Sequence, residues 1–359
     1  MKILYITPTI YDEGGVAKVV SVKSNVLIEN YNCEIGFVTF NNASTDTFHP
    51  FHSDIQKFDI KATGFKPFKI LNYYQKVKKI VQSFQPDVIV ICDFGWKGFF
   101  FSKFVKTTIP IVFEIHGSLF NESKKINNKT LVNYRASVRK KLLSAYNNVV
   151  FLSAESQKEW GIAGEIIPNS IQNTNLVAKL QNHKAIAIAR HSYEKGIDRL
   201  IDIWAKVSQK SDWLLEIYGD GYLFEKHQNQ IKELGLNETI KLLKPLKNIQ
   251  EKYLEASMFV MTSRSEGFPM ALLEAMEVGL PAVSYDCPIG PKAIIKNESS
   301  GFLIEDGNVE QFVSTVLALQ KDTLSREKIG QQAKLEMQKL HPDVIAKKWF
   351  NYFTALISK

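Results

Sequence analysis

Cysteine is scarce: Cys33, Cys92 and Cys287 are the only three in 359 residues, and they stand far apart. That spacing gives neither a disulfide framework nor the paired ligands of a zinc site, and it points to a reducing compartment. Long apolar runs are missing too. No stretch approaches the ~20 residues that a membrane-crossing helix needs. The opening Met1-Lys2-Ile3-Leu4-Tyr5-Ile6 is too short for a secretory signal and reads as a first strand. No long low-complexity run interrupts the chain. The dinucleotide fingerprint G-x-G-x-x-G is absent, which disfavours a dehydrogenase. The basic charge comes without a recognised nucleic-acid motif, so nucleic acid is not an expected partner.

What is present is ample apolar residue and a length beyond the usual limit of one core, so two domains are expected. The formal charge of +8 is uneven: the first 170 residues hold 21 Lys+Arg against 14 Asp+Glu, and the rest hold 24 against 23. A surplus confined to the first half suits an anionic surface such as phospholipid or a pyrophosphate lipid, and equally suits a solvated lysine-rich face. Two stretches carry much of it. Trp96–Lys106 interleaves aromatics with lysines, and Lys124, Lys125, Lys129, Arg135, Arg139, Lys140 and Lys141 form a second cluster. The first fits an interfacial membrane contact, or a helix whose Phe99–Phe101 lie in the core beside a strand.

Short β-branched runs alternate with longer helical segments along the whole chain. Strands are expected at Lys2–Thr7, Glu34–Phe40, Asp87–Cys92, Ile109–Ile115 and Asn148–Leu152, then at Ala185–Ala189, Trp213–Tyr218, Thr239–Leu243, Met258–Met261 and Ala282–Ser284. Such alternation predicts α/β domains with parallel sheets covered on both faces, and ligands at the C-terminal strand ends. The boundaries read as 1–170, 171–340 and a C-terminal helix at 341–359, with Gln172–Lys184 as a polar linker.

The stretch with most chemistry is Ser265-Glu266-Gly267-Phe268-Pro269-Met270-Ala271-Leu272-Leu273-Glu274-Ala275-Met276. It follows a buried strand and opens a helix, with Pro269 suited to the first helical position. Glu266 lies in the loop, and Glu274 lies roughly 7 Å along the helix at ~1.5 Å per residue. Between them, the helix N-terminus offers N–H groups and a positive dipole end to a phosphate. Arg190 and Lys195 flank another strand-to-helix loop, where two cations suit a pyrophosphate leaving group. Gly14-Gly15 separates the first strand from the first helix. Gly219-Asp220-Gly221 is a turn, and His116 follows the strand Ile109–Ile115.

The string from Glu266 to Met276 resembles the E-G-F-x-x-x-x-x-E-A-M signature of retaining GT-B glycosyltransferases of family four. The run Arg190 to Gly196 resembles that family's G-R-x-x-x-x-K-G, with Ala189 in place of the glycine. Ala293 stands where relatives often carry a glutamate. The resemblance implies two Rossmann-like domains facing each other across a cleft, the first on the acceptor side and the second holding a nucleotide sugar, with the C-terminal helix returning to the first domain. It implies catalytic roles for His116, Arg190, Lys195 and Glu266. It implies donor contacts from Gly14, Gly15, Gly219, Glu266, Gly267, Phe268, Pro269, Met270, Ala271, Leu272 and Glu274. No D-x-D occurs, which disfavours the metal-dependent alternative architecture, so no metal and no cofactor are expected. The expected reaction is retaining transfer of a hexose or N-acetylhexosamine, with UDP the favoured nucleotide, to a glycan or lipid-linked acceptor in cell-envelope polysaccharide synthesis. The expected location is the cytoplasm, with peripheral contact at the inner membrane face as an option. A sugar-nucleotide epimerase of the same architecture and a non-catalytic nucleotide-binding subunit are the alternatives.

Overall fold

A computed structural model of the chain describes every residue except 13, 43–45, 63–64, 120–128 and 359. The fold divides into two compact units, Met1–Ser170 with Leu340–Lys359, and Ile171–Lys339.

The first unit is built on seven parallel strands: β1 (Lys2–Ile6), β2 (Glu34–Phe40), β3 (Gln56–Ile60), β4 (Val88–Ile91), β5 (Ile111–Ile115), β6 (Asn148–Phe151) and β7 (Glu165–Ile166). Their order is β3-β2-β1-β4-β5-β6-β7, so the winding reverses between β1 and β4. The central strands are continuously apolar because helices cover both faces; all four residues of β4 are buried. The helices are α1 (Gly15–Tyr31), α2 (Lys66–Phe84), α3 (Trp96–Phe104), α4 (Lys129–Leu143) and α5 (Ala154–Trp160). β3 is not among the strands expected from the sequence. It is an edge strand with exposed Gln56 and Lys57, so it carries no apolar run to reveal it.

Of the two readings of Trp96–Lys106, the core reading holds for its aromatic centre. Phe99 and Phe101 are fully buried, and Phe99 stacks on Phe113 of β5 with centroids 5.0 Å apart. In the second basic cluster, Arg139 is buried with its guanidinium against Phe94, Trp96 and Phe99, so it is part of the core rather than a surface charge. Lys124 and Lys125 lie outside the described residues.

The second unit has six parallel strands, β8 (Lys184–Ile188), β9 (Leu214–Tyr218), β10 (Ile240–Leu243), β11 (Met258–Met261), β12 (Ala282–Asp286) and β13 (Phe302–Glu305), in the order β10-β9-β8-β11-β12-β13. Here the winding reverses between β8 and β11. Its helices are α6 (Ile197–Val207), α7 (Phe224–Glu233), α8 (Gln250–Glu255), α9 (Met270–Glu277), α10 (Pro291–Ile294), α11 (Val309–Lys321) and α12 (Thr323–Met337). In α6, Ile197, Leu200, Ile201, Trp204 and Val207 recur at helical spacing and are all buried. Truncating one of them, such as Leu200→Ala, would cost about 2–5 kcal/mol.

Two expectations change. Residues 172–183 lack regular structure but are no free linker. Ala178 donates to the Val278 carbonyl at 2.8 Å, Thr174 N–H donates to Glu277, and the buried Arg326 guanidinium holds the Leu180 carbonyl. Pro269 is not the first helical residue but the extended residue before it, with ψ 104°; its carbonyl receives the N–H groups of Leu272 and Leu273. The last helix, α13 (Pro342–Ile357), packs on α1 of the first unit. Phe350 stacks on Tyr31 at 4.4 Å, and Asn30 donates to Asp343 at 2.9 Å. Among the described residues no helix is long and apolar enough to cross a membrane.

Candidate active site

In open parallel sheets ligands bind where the winding reverses, beyond the C-terminal strand ends. In the second unit that place is formed by the loop after β8 (residues 189–196) and the loop after β11 (residues 262–269). Hydrogen bonds bind the two loops together. Thr262 Oγ1 donates to the Gly196 carbonyl at 2.8 Å, and Arg264 N–H donates to the Glu194 carbonyl at 2.8 Å. Gly196 adopts φ +63°, and a Cβ there would stand 2.1 Å from the Thr262 carbonyl oxygen, so only glycine permits this approach. Arg264 clamps Asp198 with both ends of its guanidinium and also reaches the Tyr193 carbonyl. Arg199 holds the Thr262 carbonyl and pairs with Asp306 at 2.8 Å.

This scaffold brings two of the predicted residues into contact. Lys195 Nζ donates to both carboxylate oxygens of Glu266, each at 2.8 Å, and Ser263 Oγ donates to Oε1 at 2.6 Å. The lysine side chain is 23% exposed and the glutamate 7%. The pair is thus open to water on the lysine side. Glu266 is backed by the loop after β12: Gly290, at φ +104°, has room for no Cβ because Pro269 and Glu266 would lie within 3 Å of it. Cys287 sits in the same loop, and burial together with the nearby Glu266 charge pushes its thiol up to about 12, so it stays protonated.

Other predicted residues are placed apart from this pair. Arg190 is 74% exposed and touches Glu194 at 3.5 Å. Glu274, half-buried on α9, receives the Tyr253 hydroxyl at 3.1 Å. Gly267, Phe268 and Pro269 lead into α9, whose first turn begins with Met270 and Ala271. Leu272, however, is fully buried, and its N–H already donates to the Pro269 carbonyl. The Gly219–Gly221 turn packs on the loop after β8, because a Cβ on Gly219 would stand 2.0 Å from the Ala189 carbonyl oxygen. His191 of that loop and His227 of α7 are both buried with their Nδ1 atoms 2.9 Å apart. Burial and then the neighbouring His227 hold His191 down at about 4, and burial likewise lowers His227.

The first unit has its own cluster at the reversal point. Gly14 precedes α1, its N–H donates to Asp12 Oδ1, and Gly15 opens the helix. His116 follows β5, buried, with Nε2 3.4 Å from Glu114 Oε1. Glu114 Oε2 receives the Lys23 ammonium at 2.6 Å and the Cys92 thiol at 3.2 Å. Lys23 lies over the rings of Trp349 and Tyr5, 4.0 and 5.1 Å from their centroids. Burial alone would raise the Glu114 carboxyl, yet Lys23 and His116 together hold it well below the usual range. Cys92, Glu114 and His116 lie close enough to suggest a metal site. The chemistry opposes it: Glu114 is already neutralised by a lysine, and burial beside Glu114 keeps the Cys92 thiol protonated.

The family model for glycosyl transferases group 1 matches residues 172–336, which lie within the second unit. The amylovoran biosynthesis glycosyltransferase AmsD of Erwinia amylovora is 28% identical over 357 residues, covering 97% of this chain and 98% of that protein. By these matches the second unit is similar to the group 1 glycosyltransferases. Two crystal structures extend the likeness to the whole fold. A Staphylococcus aureus TarM variant solved with UDP, fondaparinux and alpha-GlcNAc-glycerol superposes with TM-score 0.81 at 14% identity, covering 98% of this chain and 99% of that one. Anabaena HepE solved with UDP-glucose gives 0.76 at 18% identity, covering 99% and 100%. The fold of the chain is the GT-B fold, with two Rossmann-like parallel sheets.

Sequence reasoning missed several residues that position this site. Ser263 sat visibly in the polar loop before Glu266, and its role follows once that loop is seen to curl back. Tyr253, Asp198, Lys23 and Glu114 left no local signal, because their partners lie 21 to 91 residues away.

Proposed function

We propose that this protein transfers a hexose or N-acetylhexosamine from a UDP-sugar to a hydroxyl of a glycan or lipid-linked acceptor, with retention at the anomeric carbon, in the assembly of a cell-envelope polysaccharide. The observation that carries this reading is the water-accessible Lys195–Glu266 pair beside the N-terminus of α9. A diphosphate arriving there competes with Glu266 for the ammonium. Lys195 turns to the phosphate oxygens, and Glu266, still held by Ser263, becomes free to accept a hydrogen bond from a sugar hydroxyl. Exposed Arg190 swings to the same diphosphate from the other side of the loop. Glu274 takes the ribose hydroxyls.

In the reaction the bond between the anomeric carbon and the diphosphate oxygen breaks as the acceptor oxygen bonds to that carbon from the same face. The acceptor proton passes to the departing phosphate. Negative charge grows on the leaving group, where Lys195, Arg190 and the α9 dipole stabilise it, and no metal ion is called for. The relatives support the class of substrate: TarM and HepE were solved with UDP or UDP-glucose, and AmsD is named for amylovoran biosynthesis.

The test is a thermal-shift screen of UDP and nucleotide sugars on the native chain and on Glu274→Ala. Ligand at about 100 times Kd stabilises by about 2.7 kcal/mol. One UDP-sugar should raise the native midpoint and lose that effect in the variant. No shift from any nucleotide at millimolar concentration would remove the donor reading. Consumption of the donor without an acceptor would favour epimerisation.

A further inference from the structure

Helix α2, like α4, is strongly basic. Its nineteen residues, Lys66 to Phe84, contain five lysines and no acid. The inward face is ordinary core: Tyr73, Tyr74, Val77, Val81 and Phe84 are buried. The outward face is not ordinary. Phe65, just before the helix, is 75% exposed and Phe68 is 72% exposed, with Ile70 and Leu71 also open to solvent. Phe68, Leu71, Gln75 and Lys79 follow one another at three- or four-residue spacing along that face, and Lys76 and Lys78 flank it. The end of α3 packs on the inward side of α2, where Phe104 stacks on Tyr74 at 4.5 Å, and Lys103 and Lys106 stand exposed on either side of Phe104 in the chain.

Isolated exposed apolar residues need no explanation, but two phenylalanines and a leucine grouped on one helix end do. A protein partner would typically meet such a patch with mixed charge. Five lysines without one carboxylate instead complement a uniformly negative surface. We propose that the outer face of α2 docks on an anionic lipid bilayer, with Phe65, Phe68 and Leu71 entering the headgroup boundary and Lys76, Lys78 and Lys79 lying against lipid phosphates. This places the membrane contact on a different element from the Trp96–Lys106 stretch, whose aromatic centre fills the core. It does not depend on the donor reading above.

The experiment is co-sedimentation of the full chain with vesicles of phosphatidylcholine alone and of phosphatidylcholine with phosphatidylglycerol, with the UDP-induced thermal shift read in parallel. The native chain should partition at least about tenfold more strongly to the phosphatidylglycerol vesicles, and salt should weaken that binding. Phe65→Ser/Phe68→Ser and Lys76→Glu/Lys78→Glu/Lys79→Glu should each lower partition about tenfold or more while leaving the UDP shift unchanged. If the double serine variant does not fold, Phe65→Ser alone carries the test, since Phe65 precedes the helix and is largely exposed. Equal binding to both vesicle types, no binding to either, or unchanged binding by the folded variants would overturn the proposal. So would lipid-free self-association of the native chain that the serine variant abolishes, which would assign the face to a second copy. If UDP shifts nothing while the vesicle results hold, only the donor reading fails.

Discussion

Each unit places one short lysine–glutamate pair at the reversal point of its sheet, and the two pairs differ in what surrounds them. Lys23–Glu114 is sealed: its side chains are 2% and 1% exposed, and Trp349 and Tyr5 cover the ammonium. Lys195–Glu266 leaves the lysine 23% exposed and the glutamate 7%. The distances, 2.6 and 2.8 Å, hardly separate them. Solvation does. A sealed pair has nothing to exchange with, so breaking it strands a charge in low dielectric. An open pair can trade one partner for a ligand at little penalty, which is what a site that must receive and release a diphosphate requires.

The largest expected effect comes from breaking the sealed pair. Lys23→Met should destabilise the first unit by about 3–5 kcal/mol, because Glu114 then remains buried without its counter-charge. Lys23→Met with Glu114→Gln should recover much of that loss. Urea unfolding followed by Trp349 fluorescence measures both, and an equal loss in single and double variants would show that the charge is not the cause.

Breaking the open pair should instead fall on catalysis. Glu266→Gln should lower sugar transfer about 10²–10³-fold, in the range seen when one transition-state contact is lost. Its melting midpoint should stay near that of the native chain, since Lys195 reaches water. Lys195→Ala should weaken UDP binding by about 1.5–3 kcal/mol, the worth of a hydrogen bond to a charged group. Titration calorimetry with UDP reads this directly. A variant that melts far below the native chain yet still binds UDP would dissolve the distinction between the two pairs.

The smallest effect sharpens the comparison through pH. His191 and His227, packed under the donor loop, are held below the ordinary value of 6.5, His191 at about 4. The unfolded chain therefore binds more protons than the folded one between those values. Stability is fully present above pH 6.5 and is lost as pH falls towards 4. Glu114 titrates well below this window, so the first unit should not share the loss. His191→Asn should flatten the slope of the melting midpoint between pH 6.5 and 4; an unchanged slope would place the titrating group elsewhere.

Much of the architecture was legible from periodicity alone. The Val- and Ile-rich runs marked strands buried on both faces, and the capped, amphipathic segments between them marked helices. The strand Met258–Met261 and the helix Met270–Glu277 fell where expected, since a fully apolar run followed by a polar loop and a helix-forming stretch leaves little choice. β3 escaped because an edge strand needs no apolar alternation. The aromatic-lysine stretches of α2 and α3 show the limit most clearly. Trp96–Lys106 reads in sequence as a membrane candidate, yet Phe99 and Phe101 go to the core, while Phe65 and Phe68 at the start of α2 are exposed. Whether a phenylalanine faces core or solvent depends on where the helix lies on its sheet.

The sequence by itself determined the fold class, the phosphate-suited helix N-terminus after β11, and the residue types gathered there, because these follow from local periodicity and from residues close in the chain. Only the tertiary structure decided which charges meet. Lys195 and Glu266 are 71 residues apart, and Lys23 and Glu114 are 91 apart. It also decided which pair is sealed and which is open. Neither chain separation nor residue type encodes that difference, since the solvent around an ion pair is set by every element packed against it.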